Sequence, residues 1–207
     1  NRVNVTFTIT EGGAAHISDI RIFGNKAFSE SALKGLFDLN DGGWLNWYTK
    51  ADRYSRSKLT ADLETLRTYY LNRGYLEFAI ESTQVAISGD KQDITIDITL
   101  KEGQPYTVTA VKLEGDFLGK EDEFKSLVSI RPGEPYRADA VAETTKAFTE
   151  RFGNFGYAFA RVEARPDIDR ATGQVVVALV ADPQRRVDVR RINVAGNSNT
   201  RDEVMLP

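Results

Sequence analysis

The 207-residue chain has no cysteine, one histidine and one methionine, and these shortages close off whole classes of function. Without thiols there are no disulfides, no thiolate metal ligands and no cysteine nucleophile, a state compatible with the cytosol or with an oxidising periplasm. A lone His16 cannot supply a His-x-x-x-His zinc pair, and no Gly-x-Ser-x-Gly element offers an activated serine. No apolar run approaches the roughly 18 residues that a membrane helix needs. No block of one charge dominates either: 27 Lys and Arg stand against 30 Asp and Glu. The resulting net charge of -3 argues against nucleic acid as a partner. The start carries no signal peptide, and a chain that begins in mid-strand at Asn1 and stops at Pro207 is expected to be an excised fragment.

What is present reads as packed protein, with 41% hydrophobic and 28% charged residues. The clearest signal is Asp93 to Gly103. Ile94, Ile96, Ile98 and Leu100 alternate with Thr95, Asp97, Thr99 and Lys101, the period of a strand with one buried and one wet face. The same device opens the chain, where Val3, Val5, Phe7 and Ile9 run into Glu11-Gly12, and returns at Val175 to Val180 before Asp182-Pro183. A strand type used three times predicts a repeat.

Short strands ending in Gly24-Asn25, Gly115-Asp116 and Gly196-Asn197 mark the start of each unit, with turn residues that tolerate positive φ. Each glycine alone lacks the Gly-x-Gly-x-x-Gly context of an anion site, so a turn is expected. A short helix follows at Leu33, Leu36 and Phe37, capped by Ser29, and again at Phe124, Leu127 and Val128 behind Glu121, Asp122 and Glu123. A longer helix carries the stripe Leu59, Leu63, Leu66 and Tyr70, matched by Val141, Thr145, Phe148 and Phe152. Gly74 and Gly156 then act as C-cap glycines. Two further strands complete the unit, Ala79 to Ile87 before the strand at 93, and Ala160 to Ala164 before the strand at 175. The fold class is therefore α+β, in tandem β-α-α-β-β units. Each is expected to hold a three-stranded mixed sheet in which the last strand is central, parallel to the first and antiparallel to the second, with two helices on one face.

This order of signals resembles the POTRA family. The residues that carry the resemblance are Gly24-Asn25-Lys26-Ala27-Phe28, the run Leu59 to Tyr70 with Arg73-Gly74-Tyr75, the strand ending in Glu102-Gly103, and Tyr157-Ala158-Phe159-Ala160-Arg161-Val162. Within the family it is most similar to the outer-membrane β-barrel assembly proteins. Thr145, Asp182-Pro183 and a helix-interior Gly35 depart from the family pattern. The resemblance implies that residues 1–12 are the last strand of a second POTRA domain, 13–103 the third, 104–183 the fourth and 184–207 the truncated start of a fifth. It also implies a scaffold at the periplasmic face of the bacterial outer membrane, tied to the membrane by a C-terminal barrel absent from this sequence. Implied partners are unfolded outer-membrane proteins and accessory lipoproteins, among them a BamB-like propeller lipoprotein docking on the second strand of the third domain. POTRA domains of a related secretion or translocation protein, which recognise one cognate substrate, are the alternative within the family, and a clientless structural spacer is the alternative outside it.

The residues give their own reason to look at that strand. An open edge presents unpaired N–H and C=O groups that an extended partner satisfies by adding a strand. Ala79, Ile80, Glu81, Ser82, Thr83, Gln84 and Val85 lead a stretch that is uncharged after Glu81, free of proline and longer than its counterpart as read from sequence. The plain alternative is a poorly patterned strand with no ligand. Glu81 and Arg2 are the charged candidates for a docked protein, against the reading of solvated surface charges. Trp44, Leu45, Trp47 and Tyr48 are expected to fold down as a small core of their connector rather than form a sticky patch. Asp62 and Glu64 point apart on one helix and are expected to lie on its solvated face, so no acid–base pair forms there and no enzyme, cofactor or metal is expected. Junctions near Gly12 and Gly103 are short enough to act as hinges.

Overall fold

The computed structural model describes residues 16–38, 51–90 and 93–186. Two successive β-α-α-β-β units fill this span. The first consists of β1 (His16–Phe23), α1 (Glu30–Lys34), α2 (Ala51–Leu71), β2 (Ala79–Ile87) and β3 (Asp93–Lys101). The second consists of β4 (Thr107–Gly115), α3 (Glu121–Lys125), α4 (Ala138–Asn154), β5 (Arg161–Asp169) and β6 (Gln174–Asp182). The sheet orders are β1-β3-β2 and β4-β6-β5, with the first strand parallel and the second antiparallel to the central one.

The alternation in the central strands has the predicted consequence. Ile94, Ile96, Ile98 and Leu100 are buried on the helix side of β3, and Val175, Val177, Leu179 and Ala181 are buried on β6. Each sheet presses this row onto an aromatic core. In the second unit Phe117, Phe124, Phe148 and Phe152 meet with centroids 4.5–6.1 Å apart. In the first, Tyr70 stacks on Phe78 at 4.1 Å.

The glycines at the strand ends do more than turn. Gly24 and Gly115 have φ of 86° and 92°, and a Cβ on them would lie 2.2 Å from the Leu100 carbonyl oxygen and 2.1 Å from that of Ala181. No side chain fits there. Gly74 and Gly156 close α2 and α4 as expected: the amides of Tyr75 and Tyr157 reach back to the carbonyls of Tyr70 and Phe152. Ser29 caps α1, its Oγ accepting from the Ala32 amide at 3.3 Å.

Four expectations need correction. Gly35 is the C-cap of α1 rather than a helix-interior residue, because α1 ends at Lys34. In α4 the residue turned inward is Thr144, not Thr145. The Thr144 Oγ1 accepts from the Ser129 amide at 3.0 Å and donates to the Ala140 carbonyl at 2.8 Å, so a buried hydroxyl is fully paired. Asp62 occupies the matching place on α2. It is buried, not on a solvated face, and its Oδ1 accepts from the Asp38 amide at 3.1 Å. In both units the long helix thus uses a polar side chain to satisfy the backbone amide that follows the short helix. Finally, β5 runs from Arg161 to Asp169, well beyond Ala164. Its outer residues are charged and Pro166 interrupts the pattern, which concealed the strand in the sequence.

Candidate docking edge

The strand β2 reproduces the predicted limits, Ala79–Ile87, and pairs with β3 alone among the described residues. Its register sorts its side chains. Thr83, Val85 and Ile87 lie opposite Ile98, Ile96 and Ile94, on the face that the helices cover, whereas Ser82, Gln84 and Ala86 lie opposite Thr99, Asp97 and Thr95 on the open face. The helix-side row should therefore be buried. Ile80 is half-buried, packing against the first core, but Val85 is 53% and Ile87 61% exposed. The helix-side row of this edge is thus exposed toward its far end.

A register shift between Ile80 and Ser82 makes Glu81 the bulged residue, with its side chain in solvent. Bulges twist a strand end and re-aim a side chain, so Glu81 stands apart from the row that follows it. Ala79, Ile80 and Ser82 are half-buried, while Thr83, Gln84 and Val85 are exposed. The candidates thus form one contiguous edge. Arg2 and the Trp44 to Tyr48 connector lie outside the described residues.

The counterpart β5 is also nine residues long, so length does not distinguish β2. Covering and chemistry do. Val162, Ala164 and Ile168 on the helix side of β5 pack against the second core. Pro166 sits in the middle of the strand, and Arg161, Glu163, Arg165, Asp167 and Asp169 line the rest. Proline and charge are the devices that blunt a sheet edge; β2 after Glu81 has neither.

Each sheet has a second edge, which sequence reasoning passed over. In the second unit the outer side of β4 is partly occupied: the Val108 amide donates to the Glu134 carbonyl, Gly133 donates to Val108, and Tyr136 donates to Tyr106. In the first unit β1 takes this position, and it is interrupted by a register shift at Ser18, whose Oγ donates to the Ile94 carbonyl at 3.2 Å. The segment corresponding to 133–136 lies outside the described residues.

Glu102, which read as a strand-closing signal, is buried and accepts from the Tyr70 hydroxyl at 2.7 Å and the Ala27 amide at 3.1 Å. Burial, together with that bond to the Glu102 carboxylate, pushes the Tyr70 phenol well above its ordinary range, so it stays a donor. No group of three or more His, Asp or Glu with metal-binding geometry occurs among the described residues.

Two repeats of one β-α-α-β-β plan are what the POTRA family, described as surface antigen variable number repeat, matches here, at residues 15–103 and again at 106–183. The chain belongs to the POTRA family. It is 32% identical over 206 residues to the outer membrane protein assembly factor BamA of Neisseria meningitidis serogroup B and 31% identical to that of Buchnera aphidicola. These alignments cover 99% of this chain but 26% and 33% of the relatives, so the chain spans about a quarter to a third of their length. Among solved structures it is similar to POTRA domains 3–5 of Haemophilus influenzae BamA, with a TM-score of 0.79, 27% identity, and coverage of 96% of this chain and 78% of that one. Both of these curated relatives are outer membrane protein assembly factors.

Proposed function

We propose that this chain is the periplasmic scaffold region of an outer-membrane protein assembly factor, docking accessory lipoproteins and nascent barrel proteins by strand addition, chiefly at β2. The observation that carries this reading is the contrast between equivalent edges. The helix-side row of β2 is left open at Val85 and Ile87 and its backbone faces solvent, while β5 is packed, charged and carries Pro166. An extended segment laid along β2 would gain main-chain hydrogen bonds along its length and bury Val85 and Ile87 with its own alternate side chains. Barrel strands, which alternate apolar and polar residues, have the right period.

The similarity to BamA sequences over nearly the whole chain favours an assembly scaffold over a secretion protein with a single cognate substrate. The likeness to a fragment spanning domains 3–5 supports reading 1–12 as the end of the second domain, 13–103 as the third, 104–183 as the fourth and 184–207 as the opening of the fifth. On this reading a BamB-like lipoprotein is a partner of the third domain. Glu81, at the start of the edge, and Arg2 are the charged residues proposed to contact the docked protein.

The test is a titration of the isotope-labelled 207-residue chain, followed by backbone amide shifts, with alternating barrel-strand peptides and separately with the purified lipoprotein. Shifts confined to 79–87 and to the facing part of β3 support the reading. A response that leaves this edge untouched removes it. Weak binding of many alternating peptides indicates an assembly scaffold, saturation by one sequence alone a cognate receptor, and no binding a spacer.

A further inference from the structure

The sequence places a hinge at Gly103, but the segment around it is held by contacts from three directions. The loop 72–77, between α2 and β2 of the first repeat, forms the seat. Tyr106 starts the second repeat: its amide donates to the Gly74 carbonyl at 2.9 Å, and its buried ring carries a hydroxyl that donates to Glu77 Oε2 at 2.5 Å. Arg170, in the turn between β5 and β6, donates through Nε to Glu77 Oε1 at 2.8 Å. Gln104 ties these two donors together, its Nε2 reaching the Arg170 carbonyl at 2.8 Å and the Tyr106 hydroxyl at 3.3 Å. From the third direction, the Asp139 amide in the first turn of α4 donates to Asn72 Oδ1 at 3.0 Å. Leu76 packs into the second repeat's core.

The backbone leaves no slack in this seat. Gly74 and Gly103 have φ of 93° and 73°. A Cβ on Gly74 would stand 3.0 Å from the Tyr106 carbonyl oxygen, and one on Gly103 would stand 3.1 Å from Glu77 Cβ. Gly103, read as a hinge in the sequence, and the C-cap Gly74 here permit close contact between the linker and the seat.

We propose that Glu77 is the latch of a rigid joint, a carboxylate of the first repeat shared by Tyr106 and Arg170 of the second, which makes the two repeats move as one body. An exposed ion pair alone is weak. Here, however, one carboxylate takes donors from two elements that are far apart in the second repeat, the start of β4 and the β5–β6 turn, and so fixes an orientation as well as a contact. Glu77 lies two residues before β2, so the latch also fixes where a strand docked on β2 lies relative to the second repeat. The position is specific to this joint. In the second repeat the corresponding residue after Gly156 and Tyr157 is Phe159, an exposed aromatic with no charge to share.

The absence of native cysteine allows a direct test in the whole chain. Spin labels at Thr68→Cys on α2 and Lys146→Cys on α4 report the inter-repeat distance by pulsed electron resonance. The parent chain should give one narrow distance distribution. Glu77→Ala should broaden it at least twofold with no loss of folded circular dichroism, and Glu77→Gln, which keeps an acceptor oxygen, should recover part of the narrow distribution. Arg170→Ala and Tyr106→Phe should each broaden it partly, and together by no more than Glu77→Ala does. A broad distribution in the parent, or an unchanged one in folded Glu77→Ala, overturns the proposal.

Discussion

Pro166 gives a way to read which amides of β2 are free. The Leu100 and Ala181 carbonyls stand under Gly24 and Gly115, which aligns the two central strands. Counting back, Ile96 corresponds to Val177, and their partners Val85 and Pro166 correspond to each other. A proline fits within a paired strand only where the missing N–H would have pointed off the ladder. The Val85 N–H should therefore point away from β3, toward an incoming strand. Val85→Pro is then expected to spare the fold and damage the edge. The side chain is already half in solvent, and no ladder bond to β3 is lost. A docked strand would lose one hydrogen bond, net about 0.5–1.5 kcal/mol, and would leave its own carbonyl unpaired at a cost of about 1–3 kcal/mol. At about 1.4 kcal/mol per decade the dissociation constant should rise at least about tenfold. Calorimetric titration with an alternating barrel-strand peptide measures this, with urea unfolding as the control. Gln84→Pro should behave in the opposite way, striking an amide turned toward β3 and lowering the urea midpoint. The reasoning fails if folded Val85→Pro binds as the parent does, or if the two prolines have the same effect on stability.

Three other perturbations test the framework. Thr144→Val keeps shape but leaves the Ser129 amide without its acceptor, so unfolding should become easier by about 1–3 kcal/mol, and Thr144→Ser should recover most of it in urea melts. Gly115→Ala forces a positive φ on an alanine and drives its Cβ into the Ala181 carbonyl. Strain and overpacking of about 1–3 kcal/mol each should unfold or severely destabilise the second repeat, seen as loss of its amide dispersion in NMR spectra. Glu77 is held below its ordinary value, first by the Tyr106 hydroxyl and then by Arg170. Because the docked value is the lower one, its contribution to the joint is complete above the usual glutamate pKa of about 4.3 and is lost as pH falls through the depressed value. Arg170, whose own value is raised by its bond to Glu77, stays charged across this window, so the spin-label distance should broaden on the acid side.

The fold was legible because its signals were local and repeated. Period-2 alternation at Ile94 to Leu100 located the central strand, Gly74 and Gly156 located the helix ends, and the order of elements was enough to place β3 between β1 and β2. What stayed hidden depended on contacts across the chain. Asp62 and Thr144 look like surface residues because their partners, the Asp38 and Ser129 amides, are brought to them only by packing of the short helix on the long one. A helical stripe counted by apolar residues alone therefore slipped by one position in α4. Glu102 read as punctuation, and its burial against Tyr70 and Ala27 has no sequence signature. The edge was legible both as a strand and as the open side of its sheet, but the exposure of its helix-side residues Val85 and Ile87 was not, because periodicity does not encode what covers them.

The two repeats together supply an internal control that a single domain would lack. Both edge strands hang on equivalent central strands and run for nine residues, so differences between them are not differences of fold. An edge with no partner tends to acquire charge or proline, since unpaired strands invite aggregation. β5 has acquired both. That β2 carries an uncovered apolar row and no proline means that its exposure is tolerated in a sequence where the alternative was available one repeat away. On the docking proposed for β2, an extended partner supplies the pairing that this edge lacks, and the proposed latch at Glu77, two residues before the strand, would hold the neighbouring repeat in one pose while it does so.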